Sequence, residues 1–245
     1  MNDKEKDDQQ MDHVLTRREV FTILGAAAGA GLFGSFTQAS SSESALPKCV
    51  GRPEQTEGPY FLDTKLNRSD IRSDPSDGSV SDGVPLLLEF RVSQVTLRGC
   101  TPLSGAIVDV WHCDANGVYS GVRDPHFNTV GKKFLRGYQI TDDEGTARFT
   151  TIYPGWYSGR TVHIHFKIRI NSSTQGGYEF TSQLYFDDSV TDQVYTQSPY
   201  SGRGRRITRN KDDGIFSVSG DQLMLALTKS GQVYAAIFDI GLQRT

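Results

Sequence analysis

Neither sign of charge dominates this chain, and no apolar run is long enough to span a bilayer. The 245 residues hold 26 Lys and Arg against 29 Asp and Glu, and from Cys49 onward 21 basic residues face 22 acidic ones. That balance removes the electrostatic case for a nucleic-acid partner. The mildly apolar stretch Thr22–Phe36 is broken by Gly25, Gly29, Gly31 and Gly34. It falls short of the ~20 residues a spanning helix needs, so stable membrane insertion is not expected. Amphipathic helical windows are few, which gives no sign of a helical dimerisation domain and leaves the oligomeric state open. Cysteine is scarce at three residues, too few for a disulfide framework. Cys49 and Cys100 stand beside the turn residues Gly51, Gly99 and Pro102 and are expected to pair, whereas Cys113 lies in an apolar segment and reads as a buried thiol.

What is present begins with a leader. A polar, charged stretch over residues 1–15 precedes Thr16-Arg17-Arg18-Glu19-Val20-Phe21, the Gly/Ala-rich run, and the small residues Thr37-Gln38-Ala39-Ser40. This order is that of an export signal, and the paired arginines resemble a twin-arginine signal. A short N-terminal anchor is the competing reading. Residues 1–48 are therefore expected to be signal and linker, 49–245 one domain, and the destination periplasmic or extracellular.

Beyond Cys49, short alternating segments recur: Leu86–Leu97, Ala106–Cys113, Phe134–Thr141, Thr146–Thr151, Val162–Ile170, Thr181–Phe186, Gln222–Thr228 and Val233–Ile240. Asp142-Asp143-Glu144-Gly145 predicts a hairpin turn, Lys229-Ser230-Gly231 a second one, and Asp192–Gln197 a short helical turn. With 25 glycines, this predicts an all-β sandwich of mostly antiparallel strands, with long loops at the active site and few short helices. The loop between Ser198 and Asp213 carries Arg203, Arg205, Arg206, Arg209 and Lys211. It reads as solvated, or else as a mouth for anionic substrates.

Chemistry concentrates in Ile152–Ile168. His163 and His165 alternate with Val162, Ile164 and Phe166, so on a strand both imidazoles share one face, a spacing that suits two ligands on one metal. No Asp or Glu lies between Arg160 and Ile170 to complete a His/His/carboxylate centre. Tyrosine is nearby instead, and a hard trivalent cation stabilises the phenolate that a neutral phenol does not readily form. On these residues alone, a zinc site built on the His-x-His pair stays open.

Several stretches together resemble the intradiol ring-cleavage dioxygenases. They are Thr56-Glu57-Gly58-Pro59-Tyr60, Val110-Trp111-His112-Cys113-Asp114-Ala115-Asn116-Gly117-Val118-Tyr119, Phe134-Leu135-Arg136-Gly137, Tyr153–Phe166 and Gln183-Leu184-Tyr185-Phe186. With the leader, the chain is most similar to an exported, single-domain branch. The resemblance implies one Fe(III) per chain held by Tyr119, Tyr157, His163 and His165, with Tyr157 as the ligand that leaves and acts as base. It implies Arg160 as the charge beside the substrate ring, and Gly58, Pro59, Tyr60 and Gln183 as pocket residues. The implied reaction cleaves a catechol between its two hydroxylated carbons with O2 to a cis,cis-muconate. Trp156 stands where ring-acid-specific enzymes carry a smaller residue or proline, which leaves the preferred catechol open. Trp111 and Arg136 read as structural, and His126 as a residue that could approach the mouth. A non-catalytic β-sandwich binding module and a zinc hydrolase are the alternatives.

Overall fold

The computed structural model describes residues 49–170 and 177–243; residues 1–48, expected to be an export signal and linker, lie outside them. Its strands are β1 (Pro85–Thr96), β2 (Gly99–Pro102), β3 (Ile107–Trp111), β4 (Arg123–Asp124), β5 (Phe127–Asn128), β6 (Arg136–Ile140), β7 (Thr146–Ile152), β8 (His163–Ile170), β9 (Tyr178–Tyr185), β10 (Thr228–Ser230) and β11 (Val233–Leu242). Two short helices, α1 (Asp188–Val194) and α2 (Phe216–Ser219), complete the regular structure with brief 3₁₀ turns. No helix of the described residues is long and apolar enough to cross a membrane.

The strands form the expected sandwich. One sheet runs β10-β11-β1-β2, with β7 also on β1, and the other runs β6-β3-β8-β9. Alternation fills the space between them: Leu86, Leu88, Phe90 and Val92 of β1 meet Val108, Val110, Ile164, Phe166 and Ile168 in one buried cluster. Phe166 lies 5.2 Å from Phe90 and 5.5 Å from Phe238, ring to ring, joining the sheets. Each such ring or branched side chain contributes about 1.5–3 kcal/mol of burial. Pairing is mostly antiparallel, but β1 and β11 run parallel, from Leu86 opposite Tyr234 to Gln94 opposite Leu242. A parallel bridge between Gly51 and Gly241 carries this contact to the start of the described chain.

Three local expectations need correction. The turn at Asp142–Gly145 forms, with the Asp142 carboxylate accepting from the Thr146 amide, but it does not close a hairpin. β6 pairs with β3 and β7 with β1, so the turn carries the chain from one sheet to the other. The final hairpin is shorter than expected and turns at Gly231-Gln232, with Ser230 opposite Val233; residues Gly220–Leu223 are 3₁₀ helix. The expected helical turn begins earlier, at Asp188, because the Asp187 carboxylate accepts from the Ser189 and Val190 amides as N-cap.

The basic loop is solvated only in part: Arg205 and Lys211 are exposed, while its other basic residues have partners. Arg206 is buried and ion-paired with Asp188 and Asp192, and Arg209 reaches the same two carboxylates. Arg203 donates to the Trp156 carbonyl and lies over its ring. Cys49 and Cys100 are brought together with Cα atoms 5.6 Å apart, and Cys113 is buried and free.

Candidate metal centre

The histidine pair stands on the sheet face that points away from the sandwich core. Val162, Ile164 and Phe166 fill the core, and the alternate residues His163, His165 and Lys167 are buried on the opposite face. The segment preceding β1 covers that face: Phe61 packs edge-on against Trp111, Lys167 pairs with Glu57, and the Lys167 ammonium lies over the Phe61 ring. β8 is thus buried on both sides although its sequence alternates.

Two loops crossing in close contact bring in the tyrosines. Asp114 organises the first by accepting from the Asn116 and Val118 amides. The Gly155 amide then donates to the Asp114 carbonyl at 3.0 Å. A β-carbon on Gly155 would lie 2.4 Å from the Ala115 carbonyl oxygen, and one on Gly117 would lie 2.3 Å from that of Trp156. Only glycine permits this approach. The loops deliver Tyr119 and Tyr157 with ring centroids 5.8 Å apart.

All four expected ligands converge. His163 Nε2 lies 3.0 Å from His165 Nε2 and 3.1 Å from the Tyr157 hydroxyl, and Tyr119 packs against both Tyr157 and His165. The Thr161 carbonyl, 2.6 Å from His163 Nδ1, fixes that nitrogen as donor and leaves Nε2 as a lone pair. Tyr157 and His165 crowd onto this one lone pair, while the Tyr119 hydroxyl is buried with no hydrogen-bond partner. A cation among these atoms resolves both features, since it accepts the lone pairs and displaces the phenol protons.

The electrostatics favour a neutral imidazole pair. Burial, with the Arg160 charge, lowers His163 to about 3, and burial with His163 itself pushes His165 well below its usual range. Burial raises both phenols, Tyr119 further through its neighbour Tyr157, so their ionisation calls for a strong local positive charge. Arg136 adds to that charge. Its guanidinium is buried 5.9 Å from the Tyr119 ring centroid and donates to the Ser120 and Tyr60 carbonyls and the Ser120 hydroxyl. Among the described residues no cluster of three or more His, Cys, Asp or Glu could hold a metal. The oxygen donors here are phenols.

The remaining expected residues surround the four. A β-carbon on Gly58 would sit 3.2 Å from His165 Cε1, Pro59 is exposed, and Tyr60 lies 4.6 Å from Tyr119, ring to ring. The Tyr60 hydroxyl donates to Asp124 at 2.6 Å, and burial plus that contact raise it to about 12. Arg160 points Nη1 at His163 Nε2, 3.5 Å away. Gln183, opposite His165 in the ladder, accepts from Arg160 at 2.6 Å and donates to the Thr56 carbonyl. His126 is exposed; its backbone amide donates to Asp124.

Residues 56–230 match the family model Dioxygenase_C, described as Dioxygenase. The chain belongs to the intradiol ring-cleavage dioxygenases. The protocatechuate 3,4-dioxygenase beta chain of Burkholderia cepacia is 31% identical over 182 residues, covering 69% of this chain and 71% of that one. A chlorocatechol 1,2-dioxygenase of Pseudomonas putida is 29% identical over 151 residues, but the match spans only 52% of its length. Among solved structures, an intradiol ring-cleavage dioxygenase from Tetranychus urticae is 30% identical with a TM-score of 0.67, covering 80% of this chain and 95% of that one.

Sequence reading overlooked three contributors to the centre. Trp111, read as packing alone, stacks parallel to His165, 5.0 Å away with planes 7° apart. Thr161 orients His163 through a backbone carbonyl, for which no side-chain signal exists. Asp213 grips Arg160 from the far end of the basic loop.

Proposed function

We propose that this chain is a non-haem Fe(III) dioxygenase that opens catechol-type rings between the two hydroxylated carbons. The observation that carries the reading is that Tyr157 and His165 meet at His163 Nε2 while Tyr119 packs against both of them with its hydroxyl buried and unpartnered. Tyr119, Tyr157, His163 and His165 would hold one ferric ion. When bound, the ion supplies a Lewis acid and electron acceptor for the two catechol oxygens. Tyr157 is partly exposed whereas Tyr119 is buried; as phenolate, Tyr157 takes a proton from an incoming catechol hydroxyl. Arg160 Nη1 directs N–H donors and positive charge to the place where charge gathers on the ring. Gly58, Pro59 and Tyr60 wall the ring, and the Tyr60–Asp124 contact holds that wall in place. Both atoms of O2 enter the product, a cis,cis-muconate, and no external reductant is needed.

Oxygen uptake by purified, iron-assayed protein on catechol tests this. The expected result is one O2 consumed per catechol, a muconate product, and a visible phenolate-to-iron absorption band in the resting protein. A colourless zinc protein, or an extradiol semialdehyde product, refutes the reading.

We also propose that residues 1–48 direct export and that Cys49 and Cys100 form a bridge in the oxidising destination. Their proximity supports the pairing. A non-reduced proteolytic digest should yield the Cys49–Cys100 peptide pair with Cys113 as free thiol; Cys113 in a mixed bridge would reject it.

A further inference from the structure

Resting on the ring-cleavage reading above, we propose that Asp213 is the positioning residue that fixes the direction of Arg160 at the metal centre. The Asp213 carboxylate is almost wholly buried, at 1% exposed, and its two oxygens have separate duties. Oδ2 accepts from Arg160 Nε at 2.8 Å and from the Thr161 amide at 2.7 Å. Oδ1 accepts from the Ile215 and Phe216 amides at 2.8 and 3.1 Å. The loop that follows β9 and α1 is thereby tied to the loop that carries Arg160.

The guanidinium is clamped at two of its three nitrogens. Asp213 holds Nε, and Gln183 Oε1 holds Nη2 at 2.6 Å. Gln183 is itself held by the Thr56 carbonyl and approached by the Tyr185 hydroxyl at 3.1 Å. Nη1 remains, and it faces His163 Nε2. A planar fork held at two corners has little freedom to turn, so the third corner is aimed without further cost when substrate arrives. The Arg160–Asp213 pair as a whole is also close to neutral seen from solution, although the guanidinium keeps its charge at short range. Arg160 therefore acts through directed donors and short-range charge at the ring rather than by attracting anions from solution, and the effect belongs in kcat more than in KM.

Asp213→Asn separates this role from a structural one. The amide keeps an oxygen for the Ile215 and Phe216 N–H groups but turns an NH2 toward Arg160 Nε, releasing the fork. Steady-state kinetics on catechol, iron content and the resting charge-transfer band are measured for the wild type, D213N, Arg160→Ala and the double variant. D213N is expected to lose about 10- to 100-fold in kcat with KM within about twofold, iron and band unchanged. The double variant is expected to be no slower than Arg160→Ala alone, because Asp213 acts through Arg160. Additive losses in the double variant, or loss of iron from D213N, overturn the positioning role. If D213N does not fold, Asp213→Glu in the same cycle, which keeps the charge and moves it by one methylene, should give a smaller kcat loss that again vanishes without Arg160; a loss that persists overturns the role. An inactive wild type overturns the ring-cleavage reading and this inference together, whereas an active wild type with additive losses overturns only the role of Asp213.

Discussion

His163→Ala is expected to yield a folded protein that binds iron more than about tenfold more weakly than the wild type and has no visible band. His163 Nε2 is the atom on which Tyr157 and His165 converge, and no other described side chain can replace it there. The fold should survive, because His163 faces away from the cluster formed by Val162, Ile164 and Phe166. The main structural cost is the Thr161 carbonyl, which loses its donor, worth about 1–3 kcal/mol if it stays buried and unpaired. Metal analysis of the purified variant beside a thermal melt reads both effects. Stoichiometric iron with an unchanged spectrum would remove His163 from the ligand set.

Arg160→Ala is expected to keep its iron and lose about 10²- to 10³-fold in kcat, the scale seen when one preorganised donor at a reacting centre is deleted. The substitution also strands Asp213. A buried carboxylate deprived of its partner costs about 3–5 kcal/mol, moderated here because Asp213 keeps three backbone donors and the Arg160 side chain is 17% exposed. A lower melting temperature should therefore accompany the loss of rate, and iron content and the resting band show whether the centre itself is intact. Arg160→Lys should recover little, since an ammonium cannot reach Asp213 and Gln183 at once. Wild-type turnover in an iron-loaded Arg160→Ala protein would exclude Arg160 from the reaction.

The parts of this molecule that were legible in advance are those written in local periodicity. The alternation through Val162–Ile170 placed two imidazoles on one face, and Tyr157 stands in the same Ile152–Ile168 stretch just ahead of them. What local sequence could not carry was the partner of each strand. Asp142-Asp143-Glu144-Gly145 is a tight turn in either case, and its residues do not record whether the next strand folds back on β6 or crosses to β1. The ion pairs of the basic loop were unreadable for the same reason. Arg206 and Arg209 find Asp188 and Asp192 on α1, and these pairs exist only once the loop has folded back on the helix. Trp111 has the composition of a core residue, and its parallel stack on His165 follows from a cross-strand register in which the two lie opposite each other.

The bridge between Gly51 and Gly241, reinforced by the Gly241 amide donating to the Val50 carbonyl at 2.7 Å, has a consequence at the scale of whole proteins. It sets the entry and exit of the catalytic fold side by side on one edge of a sheet. A unit whose two ends meet can be spliced into a surface loop of a host domain, or strung beside other modules, without any connector having to traverse its body.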